Sequence, residues 1–297
     1  MLCKKDTKYP PENLEGLTFS HMKRTLLLLL LPVLILAAAY THRPLTWVAI
    51  GDSITYLNDH LDETGDRVTK GYLTQVKEKL PDIHYINQGH NGWTSGKIAR
   101  NIDTLGIPVA DVYSVLLGTN DWWHGDRIGS WQDYAGNTGD STVYGAFRII
   151  LDKIRSLNKD AAIILITPMQ RGDFVYLMNM KNNAYGSYRD KAGQTLEEVA
   201  NAIIDIGQQE HLKVIDLYHD RRLGTDRAVR YKRLRDPQTG QARDYRYPAY
   251  TAIPFNPATD EYPYPPDAIR VTYDGLHPSD RGNAIIAHKL IKILKKL

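Results

Sequence analysis

Short apolar segments alternate along this chain with longer segments of helical periodicity, beginning near residue 46. Each apolar segment has four to six residues rich in Val, Ile or Leu and lacks strict apolar–polar alternation, which indicates strands covered on both faces. These segments lie at residues 47–50, 83–86, 112–117, 161–166 and 212–217. The helical periodicity predicts helices over residues 69–80, 94–105, 142–157, 188–210 and 279–296.

This alternation of strands and helices predicts an α/β protein in which a five-stranded parallel sheet lies between two layers of helices. Ligands bind such sheets at the carboxyl ends of the strands, so we expect the functional residues in the loops that follow them. Residues 122–141 are predicted to form a loop. Residues 218–272 form a much longer insertion, and its seven tyrosines argue for an ordered cap or lid over disorder.

The first 39 residues have the pattern of a presequence. Lys23 and Arg24 precede an apolar run over residues 26–39 that ends in three alanines, which is typical of a secretory signal peptide. Residues 1–21 are polar and of mixed charge, so we expect translation to start at Met22, with a signal peptide over about 22–39. The run is shorter than the roughly 20 residues of a membrane span. We therefore predict an exported protein, periplasmic or secreted, with an uncleaved membrane anchor as the alternative.

Composition excludes several classes of protein. The chain has 297 residues, 42% hydrophobic and 24% charged, which is typical of a globular protein. Its one cysteine, Cys3, precedes the predicted domain at residues 40–297, so neither a disulfide nor a cysteine metal site is expected there. Residues 40–297 carry 32 Lys or Arg and 31 Asp or Glu, a formal charge of +1. This balance argues against a nucleic-acid-binding protein.

Two polar motifs suggest nucleophilic catalysis. One follows the first predicted strand, and the other precedes the last predicted helix. Ser53 lies in Gly51-Asp52-Ser53 at the end of the first strand, where a tight turn presents a hydroxyl above the sheet. Asp274 and His277 are three residues apart in Asp274-Gly275-Leu276-His277-Pro278. A serine nucleophile needs a base, and that base needs an acceptor on its other ring nitrogen. Turn and capping roles are the alternative for both motifs.

Two further motifs could supply hydrogen-bond donors to a developing oxyanion. Gly92 lies in the segment at residues 87–94 after the second strand, where a glycine can offer an unobstructed backbone amide. Asn120 lies in Gly118-Thr119-Asn120-Asp121 after the third strand and carries a side-chain amide. Glycine-rich strand ends are also the ordinary way in which α/β loops turn, so neither motif is specific alone.

Together, in this order, the four motifs resemble the four sequence blocks of the SGNH, or GDSL, hydrolase family of esterases and lipases, over residues 46–297. The resemblance implies a flavodoxin-like sheet and a serine ester hydrolase that works without a metal or organic cofactor. It implies Ser53 as nucleophile, His277 as base and Asp274 as the residue that orients His277. The backbone amides of Ser53 and Gly92 and the side chain of Asn120 would form the oxyanion hole.

Several neighbours of these motifs have less specific patterns. Asp52 and Asp121 are expected to accept hydrogen bonds in turns rather than carry protons. His90 and His124 lie in the right loops but are not assigned to the triad. Three tryptophans follow the strand ends and could form an aromatic wall for a sugar or an acyl chain, with packing beneath the loops as the alternative. These tryptophans are Trp93, Trp122 and Trp123.

The long insertion leaves the substrate open. Residues 221–246 contain nine Lys or Arg against three Asp, which suggests affinity for anions, with a solvated charged surface as the alternative. We expect a small-molecule or polysaccharide ester as substrate, with removal of acetyl or other short acyl groups. A lysophospholipase or lipase is the alternative in the same class, and a non-catalytic carbohydrate-binding module is the alternative from another class. The oligomeric state is not predicted.

Overall fold

The computed structural model describes residue 1 and residues 43–297. The predicted signal peptide at 22–39, the expected start at Met22 and Cys3 lie outside the described residues. Within the described part of the chain, no helix is both long enough and apolar enough to cross a bilayer.

The central sheet has five parallel strands in the order β2-β1-β3-β4-β7. This is the predicted flavodoxin-like order, and all five predicted strands are confirmed with small changes at their ends. The sheet strands are β1 Leu45–Gly51, β2 Ile83–Gly89, β3 Val112–Leu116, β4 Ala162–Ile166 and β7 Lys213–Ile215. Two short antiparallel pairs lie outside the sheet: β5 Phe174–Val175 with β6 Asn183–Ala184, and β8 Lys232–Arg235 with β9 Ala242–Tyr245.

Helices cover both faces of the sheet, as predicted. Successive residues of a strand point to opposite faces, so Val48 and Ile50 pack in one apolar cluster while Trp47 and Ala49 pack in the other. The helices of the described chain are α1 Ser53–Tyr56, α2 Tyr72–Lys79, α3 Ser95–Asn101, α4 Thr119–His124, α5 Trp131–Ala135, α6 Val143–Leu157, α7 Leu196–Gln209, α8 Thr225–Ala228 and α9 Asp280–Leu294. Helices α6 and α7 contribute to the first cluster, and α2 and α9 contribute to the second.

The helix predicted over residues 188–210 begins later than expected. Helix α7 starts at Leu196, because Thr195 accepts a hydrogen bond from the amide of Glu198 and Glu198 in turn accepts one from the amide of Thr195. This reciprocal capping satisfies two amides that a helix leaves without partners. Residues 188–195 form turns instead, and the prediction extended the helix too far toward its N-terminus.

The predicted loop at 122–141 contains more helix than expected. Helix α4 continues through Trp122 and Trp123 to His124, and α5 follows with Ser130 and Asp133 as its capping residues. The prediction also overlooked the irregular segment between β4 and α7, which carries the β5–β6 pair. That segment lies beside the proposed catalytic residues, as described below.

The insertion at 218–272 is folded around its own apolar cluster. It contains the β8–β9 hairpin, the short helix α8 and three 3₁₀ turns. Tyr250 and Tyr264 are fully buried there and pack with Leu234 and with Val175 of β5. The tyrosines that argued against disorder in the sequence thus form a small core between this cap and the segment that follows β4.

A buried ion pair connects the cap to the same segment. The Lys232 ammonium, on β8, lies 2.7 Å from Asp173 Oδ2, and the Lys232 side chain is 1% exposed. Asp173 also accepts hydrogen bonds from the Gly186 amide and the Tyr188 hydroxyl. Burial lowers the pKa of Lys232 and the neighbouring Asp173 raises it, with burial the larger effect. The carboxylate of Asp173 is therefore needed to compensate a charge that water cannot reach.

We predict that Asp173→Ala lowers the free energy of unfolding by about 3–5 kcal/mol, because it leaves the Lys232 ammonium buried without a partner. Urea denaturation monitored by circular dichroism measures the loss. The matched control is Asp244→Ala, which breaks the exposed ion pair with Arg233 on the same hairpin and should cost less than about 1 kcal/mol. Equal losses in the two variants would contradict the structural importance of the buried pair.

Candidate active site

Ser53 lies two residues after the end of β1, an inner strand of the sheet, and is the first residue of the short helix α1. Asp52 caps this helix, because its Oδ1 accepts a hydrogen bond from the Ile54 amide at 2.9 Å. The capping turn holds Ser53 at the carboxyl end of the sheet, between β2 and β3. The side chain is largely buried, with Ser53 7% exposed.

The imidazole of His277 connects Ser53 to Asp274. His277 Nε2 lies 2.9 Å from Ser53 Oγ, and His277 Nδ1 lies 2.6 Å from Asp274 Oδ2. The second carboxylate oxygen of Asp274 accepts the amides of Leu276, at 3.0 Å, and His277, at 2.7 Å. Both carboxylate oxygens are thus fixed within the loop, and the acidic group orients the imidazole toward the hydroxyl.

The loop that carries Asp274 and His277 closes on itself and on a neighbouring segment. Gly275 has φ of +90°, and a Cβ there would lie 1.7 Å from the carbonyl oxygen of Asp173. Only glycine fits this conformation and this close approach. The Gly275 carbonyl accepts the Gly172 amide at 2.8 Å, and the Asp274 carbonyl accepts the Val175 amide at 3.2 Å. The segment after β4 therefore supports the loop from one side.

Two aromatic rings enclose the imidazole. Phe174 meets it edge to face with ring centroids 5.4 Å apart, and Tyr273 lies nearly parallel to it with centroids 5.9 Å apart. His277 itself is 8% exposed. Because little of the residue is exposed, the hydrogen bonds of the imidazole to Ser53 and Asp274 are made in a low-dielectric environment.

The predicted oxyanion-hole residues lie at the ends of the strands that flank β1. Gly92 has φ of +74°, and its amide donates to no residue of the described chain. The Asn120 side-chain nitrogen donates to the Trp93 carbonyl at 3.0 Å. An amide NH₂ has two hydrogens, so this bond fixes Asn120 and leaves a second donor. Ser53 is the first residue of α1, where a backbone amide has no acceptor within the helix.

Asp52 and Asp121 hold the loops together, as the sequence suggested. Asp121 accepts hydrogen bonds from the amide and the hydroxyl of Ser95 and so joins α4 to the start of α3. Burial raises the pKa of Asp121 to about 6, against the lowering effect of the Ser95 bonds. Burial also raises the pKa of Asp52 to about 6, although the Ile54 amide and His277 lower it.

The three tryptophans have different environments. Trp122 is fully buried in the core and donates to the Gln194 carbonyl, so its ring packs beneath the loops and offers no face to a ligand. Trp93 is stacked against His90, with ring centroids 4.5 Å apart, and the Lys97 ammonium also lies 4.5 Å from its centroid. Trp123 is partly buried and packs beside Phe174.

A polar cavity of about 290 Å³ adjoins Gly92. Its lining includes Lys97, Arg100, Asp126 and Asp140, and the exposed His124 lies at its edge. His90 lies elsewhere and packs on Trp93. Its pKa is lowered by burial and, to a smaller degree, by Lys97.

Sequence reasoning missed the residues that follow β4, above all Arg171. This side chain is 2% exposed, and its Nε and Nη2 donate to no described residue. Its guanidinium carbon lies 5.6 Å from the Trp122 ring and 5.7 Å from the Trp123 ring. Burial lowers its pKa to about 10, while Asp274 and Asp173 raise it. Position after a strand end was the available signal, because functional residues of parallel sheets collect there.

Fold and site together are those of an α/β hydrolytic enzyme with a serine, a histidine and an aspartate at the carboxyl edge of a parallel sheet. The GDSL-like lipase/acylhydrolase family model matches residues 49–285. The chain belongs to this family of carboxylic ester hydrolases, as its resemblance at the sequence level implied. No curated protein sequence matches the chain.

Solved structures agree with this assignment. A possible lipase from Chitinophaga pinensis is 62% identical over 85% of this chain and 98% of its own, with a TM-score of 0.84. A protein from Lactobacillus plantarum is 22% identical over 84% of this chain and 96% of its own, with a TM-score of 0.56. The second likeness concerns the fold alone.

We predict that Asp121→Asn flattens part of the dependence of stability on pH. The raised pKa means that the folded chain holds this proton more tightly than the unfolded chain, whose value is near 3.8. The contribution of Asp121 to stability is therefore present below pH 3.8 and is lost as the pH rises through about 6. Relative to wild type, the variant should gain up to about 3 kcal/mol between pH 4 and 7.

Urea unfolding at several pH values measures this difference. Asp160→Asn removes an exposed carboxylate and controls for the change in net charge. If the curves of wild type and Asp121→Asn stay parallel from pH 4 to 7, burial of Asp121 does not oppose its ionisation.

Proposed function

We propose that this chain hydrolyses carboxylic esters by a serine, histidine and aspartate triad, with Ser53 as nucleophile, His277 as general base and Asp274 as the orienting acid. The observation that carries the proposal is the continuous pair of hydrogen bonds from Ser53 Oγ through the imidazole to Asp274, at 2.9 and 2.6 Å. A weakly nucleophilic hydroxyl becomes reactive when a positioned base removes its proton during attack.

The reaction proceeds in two steps. Ser53 Oγ attacks the ester carbonyl carbon while His277 Nε2 takes the hydroxyl proton, and Asp274 stabilises the resulting imidazolium. The alcohol then leaves with that proton, and an acyl group remains on Ser53. Water attacks the acyl-enzyme with His277 again as the base, which releases the carboxylic acid and restores the serine.

The oxyanion that develops in both steps is stabilised by three donors in this proposal. They are the backbone amides of Ser53 and Gly92 and the side-chain amide of Asn120. The unengaged Gly92 amide and the second hydrogen on the Asn120 nitrogen support these roles. Donors fixed before the reaction need no reorganisation as the charge develops.

The substrate we propose is a short acyl ester, above all acetyl, of a carbohydrate. Support comes from the cavities beside the site. The cavity next to Gly92 is polar and large enough for a sugar, whereas the cavity lined by Ile54, Tyr273 and His277 holds only about 10 Å³. Such an arrangement favours a polar alcohol and a small acyl group over a long hydrocarbon chain.

A lysophospholipase or lipase is the second candidate. It is favoured by the Chitinophaga pinensis relative, which is described as a possible lipase. A carbohydrate-binding module without catalysis is disfavoured by the intact hydrogen bonds between Ser53, His277 and Asp274.

We predict that Ser53→Ala lowers kcat by about 10⁶-fold on nitrophenyl acetate, and that Asp274→Asn lowers it by about 10⁴-fold, because the imidazole loses its orienting charge. Activity of the wild type should fall on acidification, because a protonated imidazole cannot accept the serine proton. Steady-state kinetics across the pH range measures both effects.

A fluorophosphonate probe is the accompanying control. Wild type should be labelled covalently. The Ser53→Ala variant should take no label, and its circular dichroism spectrum should match that of the folded wild type. A folded wild-type protein that takes no label would instead support the non-catalytic alternative.

The length of the acyl chain separates the two hydrolase candidates. We expect kcat/KM on nitrophenyl esters to be highest for acetate and to fall at least tenfold by octanoate, because the cavity lined by His277 is small and the cavity beside Gly92 is polar. A maximum at octanoate or longer would favour the lipase and contradict the carbohydrate ester.

A further inference from the structure

The basic run at 221–246 is largely neutralised by its own ion pairs. Six of its nine cations face carboxylates within 3.4 Å. These cations are Arg222, Arg227, Lys232, Arg233, Arg235 and Arg243. The run therefore does not form the broad anion-binding surface that its composition suggested.

Arg230, from the same run, contributes to a different feature, here called the four-arginine cavity. This cavity has a volume of about 540 Å³ and is lined by Arg67, Arg230, Arg270 and Arg281 together with Asp280. The four arginines come from parts of the chain up to about 200 residues apart. Only the fold assembles them around one space.

These arginines outnumber the single carboxylate that lines the cavity, that of Asp280. None of the four forms an ion pair within the described chain. Arg67 donates only to the carbonyls of Gly65 and Tyr264, and Arg270 donates to the carbonyl of Asp226. The pKa of Arg270 is lowered by burial and then by the like charges of Arg227 and Arg281, and Asp226 raises it to a smaller degree.

Nearby acids are engaged elsewhere. The carboxylate of Asp280 accepts the amide and hydroxyl of Thr69 and the amide of Lys70, and the carboxylate of Asp226 is paired with Arg227. Asp267 is the other acid near Arg230, and its main stabilising partner is the Tyr231 hydroxyl. The cavity keeps an excess of positive charge that an anion can neutralise.

The chemistry of arginine indicates which anion fits. A guanidinium presents two parallel N–H bonds that match the paired oxygens of a carboxylate, sulfate or phosphate. A volume of about 540 Å³ lies within the usual range for small-ligand sites and admits a sugar unit that carries such a group.

The cavity lies at the base of the loop that holds the proposed catalytic residues. The two ends of this loop run antiparallel: the Tyr273 amide donates to the His277 carbonyl, and the Ser279 amide donates to the Val271 carbonyl. Arg270 and Asp280 are the next residues outward on the two ends of this loop. Ser279 and Asp280, which lie two and three residues after His277, both line the cavity, so along the chain its rim is within about 10 Å of His277.

We propose that the four-arginine cavity is an anion subsite for the substrate: it binds an acidic group carried by the acylated carbohydrate, such as a uronate carboxylate, while the ester lies at Ser53. The inference rests on the proposed function and narrows its substrate class to acidic carbohydrates. Free sulfate or phosphate shares the same chemistry and is distinguished by the experiments.

Binding is tested first, without catalysis. Titration calorimetry with trigalacturonate should show saturable binding to wild type at low salt, and Arg230→Gln/Arg281→Gln should weaken it at least tenfold. Both arginines are exposed and make no side-chain hydrogen bond within the described chain, so their replacement should leave the fold intact. The matched control is Arg233→Gln/Arg243→Gln, which removes two equal charges that are already ion-paired outside the cavity.

Each other binding result overturns the proposal. An equal loss in the control variant would show a general effect of net charge. Binding of inorganic sulfate without trigalacturonate would indicate a site for free anions only. Binding to vesicles with phosphatidylglycerol but not to trigalacturonate would indicate a membrane surface.

Hydrolysis is tested second, with acetylated oligogalacturonate against acetylated xylo-oligosaccharide. The ratio of kcat/KM for the acidic over the neutral substrate should exceed ten in wild type, fall toward one in Arg230→Gln/Arg281→Gln, and stay unchanged in the control variant. A ratio that is the same in both variants overturns the subsite. If wild type cleaves nitrophenyl acetate but neither carbohydrate, the proposed carbohydrate substrate is wrong, while the trigalacturonate titration still decides whether the cavity binds the acid.

Discussion

The arrangement of this site depends on one carboxylate, that of Asp274. One of its oxygens accepts two backbone amides of its own loop, and the other faces His277 Nδ1 at 2.6 Å. A carboxylate so engaged cannot rotate, so the imidazole keeps one orientation toward Ser53 Oγ. Because the group is 1% exposed, water does not compete for these bonds.

The loop that carries Asp274 and His277 is held in place by packing and hydrogen bonds from the segment after β4. Gly275 accommodates the Asp173 carbonyl, Phe174 meets the imidazole edge, and the amides of Gly172 and Val175 bind the loop carbonyls. The side chain of Asp173 in turn neutralises Lys232 from the cap. The cap thus contributes to the geometry of the site through the segment after β4, in addition to any contact with substrate.

The state of a charged group in this molecule depends on its burial and its partners, which a count of charges along the sequence does not give. Asp52 and Asp121 are held in places where ionisation is opposed, which raises the pKa of each to about 6. Most cations of the basic run form ion pairs with carboxylates at the surface, whereas four arginines converge around one cavity without forming an ion pair in the described chain. A count of charges along the chain identified an excess of cations but could not tell which would be neutralised.

The sequence by itself determined the five strands, their order through the family resemblance, and the motifs that contain Ser53, Asp274 and His277. Apolar runs and glycine turns are local signals, because each is contained in a short stretch of sequence. Only the tertiary structure decided the burial of Arg171 and Trp122, the ion pair of Asp173 with Lys232, the start of α7 at Leu196, and the grouping of the four arginines. Those features depend on contacts between residues far apart in the chain, and the free energy of such contacts is set by burial, which a linear pattern does not contain.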